Sequence, residues 1–73
     1  DLEVLFSGSK GMMNIKTNKK SYVKLWSVTG VLVGTYDLSV GDNSIAASNM
    51  VGIYFLEFVF EDGTRKIEKI NIK

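Results

Sequence analysis

Val51-Gly52-Ile53-Tyr54-Phe55-Leu56-Glu57-Phe58-Val59-Phe60 is the densest run of aromatic and β-branched residues in the chain. Residues of these types fit a pleated, half-buried surface, and the run is too short to cross a membrane as a helix. It reads as a central β-strand. Side chains alternate along a strand, so Tyr54, Leu56, Phe58 and Phe60 take the core face and Ile53, Phe55, Glu57 and Val59 the other. Glu57 is the one charge in the run and marks the wet face. Glu61-Asp62-Gly63-Thr64 follows directly. Asp-Gly between two strand-like runs is a strong hairpin signal, because the tip needs positive φ. The strand therefore turns back into a last strand, Arg65–Lys73.

Outward from this hairpin the chain keeps the same short period. Leu2-Glu3-Val4-Leu5-Phe6 reads as a first strand with Leu2, Val4 and Phe6 on one face. The same five residues also begin a viral protease site used in recombinant fusions, with Ser7 where that site has Gln. Ser7–Gly11 is a turn or linker. Met12–Lys16 alternates, with Met13 and Ile15 inward, and Thr17–Lys20 is a polar turn. Ser21–Val28 sets Val23 and Leu25 against Tyr22, Lys24 and Trp26, and Thr29-Gly30 closes a short hairpin, Gly30 supplying positive φ. Val31–Asp37 is the next strand, Ser39–Asn43 a loop, and Ser44–Ala47 a short strand. No segment holds a 3.6-residue apolar period over three turns. Short strands at turn spacings of about 8–12 residues predict an all-β, immunoglobulin-like antiparallel sandwich of about seven strands. Val23, Leu25, Ile45, Tyr54, Leu56, Phe58, Ile70 and Ile72 are the expected core. Ile67 is out of phase with Ile70 and Ile72, which calls for a bulge near Glu68 or a second apolar surface.

A chain of 73 residues is one domain with a small core. It has no cysteine, histidine or proline. Disulfides and thiolate metal sites are excluded, and the usual general base is missing. A serine nucleophile would need lysine or a carboxylate as base, and no spacing suggests one. The composition predicts no enzyme and no cofactor. Asp37, Ser39, Asp42 and Asn43 could offer oxygens to calcium, but turn chemistry accounts for them. Lys16, Lys19, Lys20 and Lys24 cluster with Tyr22 and Trp26, a combination that can hold single-stranded nucleic acid. A net charge of +1 argues against it, and lysines at a strand edge also block aggregation. No nucleic-acid partner is expected. No apolar run reaches the roughly 18 residues of a membrane helix. No cleavable signal peptide is visible, so the chain reads as part of a larger protein.

The order of motifs adds a resemblance. Tyr22-Val23-Lys24-Leu25-Trp26-Ser27-Val28-Thr29-Gly30, then Leu38 to Ile45 with Gly41 and Asn43, then Gly52-Ile53-Tyr54-Phe55-Leu56, then Glu61-Asp62-Gly63, then Glu68-Lys69-Ile70-Asn71-Ile72-Lys73 follow one another along the chain. Over residues 11–73 this succession resembles the type A C-terminal sorting domains of the type IX secretion system. Each motif alone is weakly specific; together, in order, they are much more so. The family often opens on a Pro-Asn-Pro-type segment, which this chain lacks, leaving the N-terminal boundary and any sortase cleavage position open.

The resemblance implies a non-catalytic secretion signal. Cargo preceding the domain would fold in the periplasm, be passed to the outer-membrane translocon and its shuttle protein, and reach the cell surface or medium. A surface sortase would then remove the domain, although some members keep it. Recognition is implied at Gly52, Tyr54, Lys69, Ile70, Ile72 and Lys73, with Gly30, Asp62 and Gly63 shaping turns. Residues 1–10 would be an N-terminal strand and linker, native or derived from a tag, and residues 11–73 the sorting domain. The competing expectation is a carbohydrate-binding or fibronectin-like module of a surface protein. It would use exposed aromatics drawn from Tyr22, Trp26, Tyr36 and Phe55.

Overall fold

The computed structural model describes the backbone of residues 2–7, 11–47 and 50–72, and the side chains of residues 11–47 and 50–72. Seven strands occupy most of it: β1 (Leu2–Ser7), β2 (Met12–Thr17), β3 (Ser21–Ser27), β4 (Leu32–Leu38), β5 (Gly41–Ala46), β6 (Gly52–Phe60) and β7 (Arg65–Ile72). They form two antiparallel sheets, ordered β1-β2-β5 and β4-β3-β6-β7. The chain changes sheet after β2, β4 and β5, giving an immunoglobulin-like β-sandwich.

The core lies between the sheets. Met13, Ile15, Ile45 and Ala47 come from the β2–β5 side. Val23, Leu25, Leu38, Leu56, Phe58 and Ile72 come from the four-stranded sheet. Each large apolar side chain buried this way contributes about 1.5–3 kcal/mol, which matters in so short a chain. Tyr54 and Ile70, expected inside, pack on the core from its rim and stay half-buried, as do Tyr36, Met50 and Phe60. Leu38 and Ala47 join the core although the alternation gave no reason to include them. The faces expected for Leu2, Val4 and Phe6 lie outside the described residues, as does the Gly8–Lys10 linker. The backbone of β1 pairs with β2 in the register Val4↔Ile15.

Two hairpins frame the four-stranded sheet, and they share one geometry. Gly30 N–H donates to the Ser27 carbonyl at 3.0 Å and Ser27 N–H to the Val31 carbonyl at 2.8 Å. Gly63 N–H donates to the Phe60 carbonyl at 2.9 Å and Phe60 N–H to the Thr64 carbonyl at 2.9 Å. Each loop thus has three residues, and only its glycine has positive φ: 87° at Gly30 and 89° at Gly63. The Asp62-Gly63 tip is therefore not the two-residue form with two left-handed positions. It is a type I turn followed by a glycine bulge, the next commonest hairpin connection.

One expected loop is strand. Gly41, Asp42 and Asn43 belong to β5, pairing with Thr17, Lys16 and Ile15 of β2. Local turn propensity loses here to a ladder with a distant strand. Asn43 also spends its side chain on the preceding bend: Oδ1 accepts from Ser39 N–H at 3.0 Å and Nδ2 donates to the Ser39 carbonyl at 2.9 Å.

Candidate functional site

The outer face of the four-stranded sheet is built by alternation and register. Val23, Leu25, Leu56 and Phe58 turn inward, so Tyr22, Lys24 and Trp26 of β3 and Phe55, Glu57 and Val59 of β6 turn outward. Register then sets Trp26 beside Phe55 and Phe55 beside Lys69; one step along, Lys24 lies beside Glu57 and Glu57 beside Ile67. The β6–β7 register runs without a break from Val59↔Arg65 to Gly52↔Ile72. No bulge therefore sits near Glu68. Ile67 instead lies on the outer face, 66 % exposed, which is the second apolar surface its phase allowed.

Trp26, Val28, Gly30, Phe55 and Ile67 line an open, mostly apolar groove of about 470 Å³, with Ser27 and Glu57 as its polar members. Glu57 anchors it. Its Oε1 accepts from the indole Nε1–H of Trp26 at 3.1 Å, and its Oε2 pairs with Arg65 Nη1 at 2.9 Å. Expected as the wet residue of its strand, Glu57 keeps only 17 % of its side chain exposed, while Arg65 is 62 % exposed. Lys24 and Lys69 flank the groove and make no ion pair among the described residues.

The aromatics proposed for a glycan site do not gather. Trp26 and Phe55 share the groove, but Tyr22 lines a separate depression with Asp37, Val59 and Lys20. Tyr36 packs on the core and lies over Gly34, where an added Cβ would meet its hydroxyl at 2.9 Å. The lysine cluster disperses too. Lys19 pairs with Asp62 at 3.3 Å and sits over the Phe60 ring, 5.7 Å from its centroid, while Lys16 extends from β2 in the other sheet. Together with Glu61 N–H donating to the Lys20 carbonyl at 3.0 Å, this latches the β2–β3 turn to the β6–β7 turn.

The expected recognition residues divide by face. Gly52 pairs with Ile72 and Tyr54 with Ile70, so four of them form two adjacent cross-strand pairs at one end of the β6–β7 hairpin. Ile72 is buried, Tyr54 and Ile70 are half-buried, and Gly52 opens β6 with φ of 106°. Lys69 is exposed on the opposite face, and Lys73 lies outside the described residues. Among the described residues nothing stands in the way of a Cβ at Gly52 or Gly30; the constraint found there is φ. Asp62 caps its turn: Oδ1 accepts from Thr64 Oγ1 at 2.6 Å and Thr64 N–H at 3.0 Å. The Thr64 hydroxyl first, then the Thr64 amide and Lys19, hold its carboxyl down to a pKa of about 2. The groove went unforeseen as a unit, though three signals for it stand in the sequence: Trp26 out of phase with Leu25, Glu57 inside an apolar run, and Ile67 out of phase with Ile70.

In comparison with known proteins, the chain matches no family model, no curated protein and no solved structure.

Proposed function

We propose that this domain is a non-catalytic C-terminal sorting signal of the type IX secretion system, read through β7 and the start of β6. The observation that carries the proposal is the ordered motif set over residues 11–73. Its Gly-Ile-Tyr segment and terminal Lys-Ile-Asn-Ile-Lys segment are brought side by side as the pairs Gly52↔Ile72 and Tyr54↔Ile70. The partners would be the outer-membrane translocon, its shuttle protein and a surface sortase. The route runs from the periplasm to the cell surface, with a cargo domain preceding this one. Ile70 and Ile72 hold the strand on the core while Lys69 stays presented outward. Removing the last few residues from a fused reporter should leave the reporter folded in the periplasm, scored by surface-versus-periplasm fractionation. Normal surface delivery would overturn the reading.

A carbohydrate-binding role is the second reading, favoured by the Trp26–Phe55 platform beside Glu57 and Arg65. The largely apolar lining and the separation of Tyr22 and Tyr36 from that platform count against it. A polysaccharide affinity screen with the parent and Trp26→Ala separates the two.

A further inference from the structure

We infer that β7 is an acceptor edge, to which an extended acidic segment of a partner protein adds as a fifth strand of the four-stranded sheet. The inference rests on the sorting reading in taking β7 as the recognised strand; it adds how the strand is gripped and by what chemistry.

The backbone supplies the first argument. β7 ends the order β4-β3-β6-β7 and, among the described residues, is paired on one side only. Its eight residues pair with β6 in unbroken register, so the strand is regular, and alternate residues direct N–H and C=O groups away from the sheet. The opposite edge is a poorer template: the β3–β4 register shifts between Leu25 and Trp26. A shift of this kind bends a strand and breaks its row of edge groups.

The side chains supply the second. Ile67 stands two-thirds exposed in the middle of the edge, where natural edges usually carry a charge. The groove from Trp26 and Phe55 runs up to it and ends there uncovered. An added strand would lay a side chain on Ile67 and close that end.

Charge chooses the occupant. Arg65, Lys66 and Lys69 outnumber Glu68 on this strand; Arg65 is paired with Glu57 and Lys66 with Glu68, which leaves Lys69 as the cation of β7 with no ionic partner among the described residues. A second copy laid antiparallel would bring a second set of cations against the first, and like charges directly across a strand pair are destabilising. The same lysines that deter self-pairing attract an acidic strand. Ile67 and Lys69 share the outer face, so the incoming segment should carry an apolar residue and a carboxylate two positions apart.

The test uses the full chain, isotope-labelled, with two synthetic peptides: a repeat of Thr-Val-Thr-Glu, which sets valine and glutamate two positions apart on one face, and the same repeat with lysine in place of glutamate. The glutamate peptide should slow hydrogen exchange at alternate β7 amides and perturb Trp26 fluorescence, with affinity falling as salt rises. The variant Lys69→Glu, confirmed folded by its amide spectrum, should bind the glutamate peptide about tenfold more weakly and the lysine peptide better. Equal binding of both peptides, binding of neither, protection at β4 or β5 instead, or self-association through β7 would each overturn the proposal. The reporter fractionation fails separately. A chain that binds the glutamate peptide but still exports when truncated keeps the acceptor edge and loses the sorting role. A chain whose export needs β7 but that binds neither peptide does the opposite.

Discussion

Trp26 and Glu57 are joined diagonally across β3 and β6: the indole N–H donates to Oε1 at 3.1 Å, although the residue directly opposite Glu57 on β3 is Lys24. Arg65 takes the second carboxylate oxygen from β7, so one acid stitches three strands on their outer face. The arrangement exists because a long indole reaches the diagonal neighbour that a register partner need not contact.

Removing this acid should therefore cost more than a surface charge. Glu57→Ala leaves the indole N–H without its acceptor and is expected to lower stability by about 1–2 kcal/mol. Glu57→Gln keeps an acceptor and loses only the ion pair with a largely exposed Arg65, so its cost should stay below about 1 kcal/mol. Urea unfolding followed by Trp26 fluorescence checks both, with the midpoint moving and the slope unchanged.

Leu56 is 1 % exposed and sits at the centre of β6, between β3 and β7. Leu56→Ala should cost about 2–5 kcal/mol, the transfer term plus the cavity left behind. A domain this small holds only a few kcal/mol in reserve, so circular dichroism should show the variant largely unfolded at room temperature.

Gly52 and Gly30 should behave alike. Among the described residues, and apart from its chain neighbours, neither has an atom within 4 Å of where a Cβ would stand, and φ is 106° and 87°. The cost of Gly52→Val or Gly30→Val is then conformational, about 1–3 kcal/mol each, with no added clash. Thermal melts giving a much larger loss at Gly52 would reveal a contact beyond backbone geometry.

The depressed pKa of Asp62 makes the β6–β7 turn sensitive to acid. Its folded value, about 2, lies below the ordinary 3.8, so its contribution is fully present above about pH 4 and is lost as the pH falls toward 2. The group is exposed, so the effect is small. The parent should melt above Asp62→Asn at neutral pH, and the gap should close between pH 4 and pH 2. A gap that persists at pH 2 would show that charge plays no part in the cap.

Much of the fold was legible in the chain. The alternation in Val51–Phe60 placed Leu56 and Phe58 inside, and Gly30 and Gly63 located both hairpins, because side-chain period and glycine φ are properties of a few neighbouring residues. Of the candidate site, the phase of Ile67 was visible but its meaning was not. A bulge and a second surface give the same sequence, and only the β6–β7 register separates them.

What the sequence alone determined, then, is the number and order of the strands, the inward faces of β2, β3 and β6, and the places of the two glycine hairpins. The tertiary structure decided the rest: that Gly41–Asn43 extends β5 against β2, that Tyr36 folds over Gly34, that Trp26, Phe55 and Ile67 meet in one groove, and that β7 lies at an edge. The physical reason is range. A face is set by rotation between adjacent residues, whereas strand order and diagonal contacts are set by pairing energies between segments distant in the chain, where they compete with and override local turn preference.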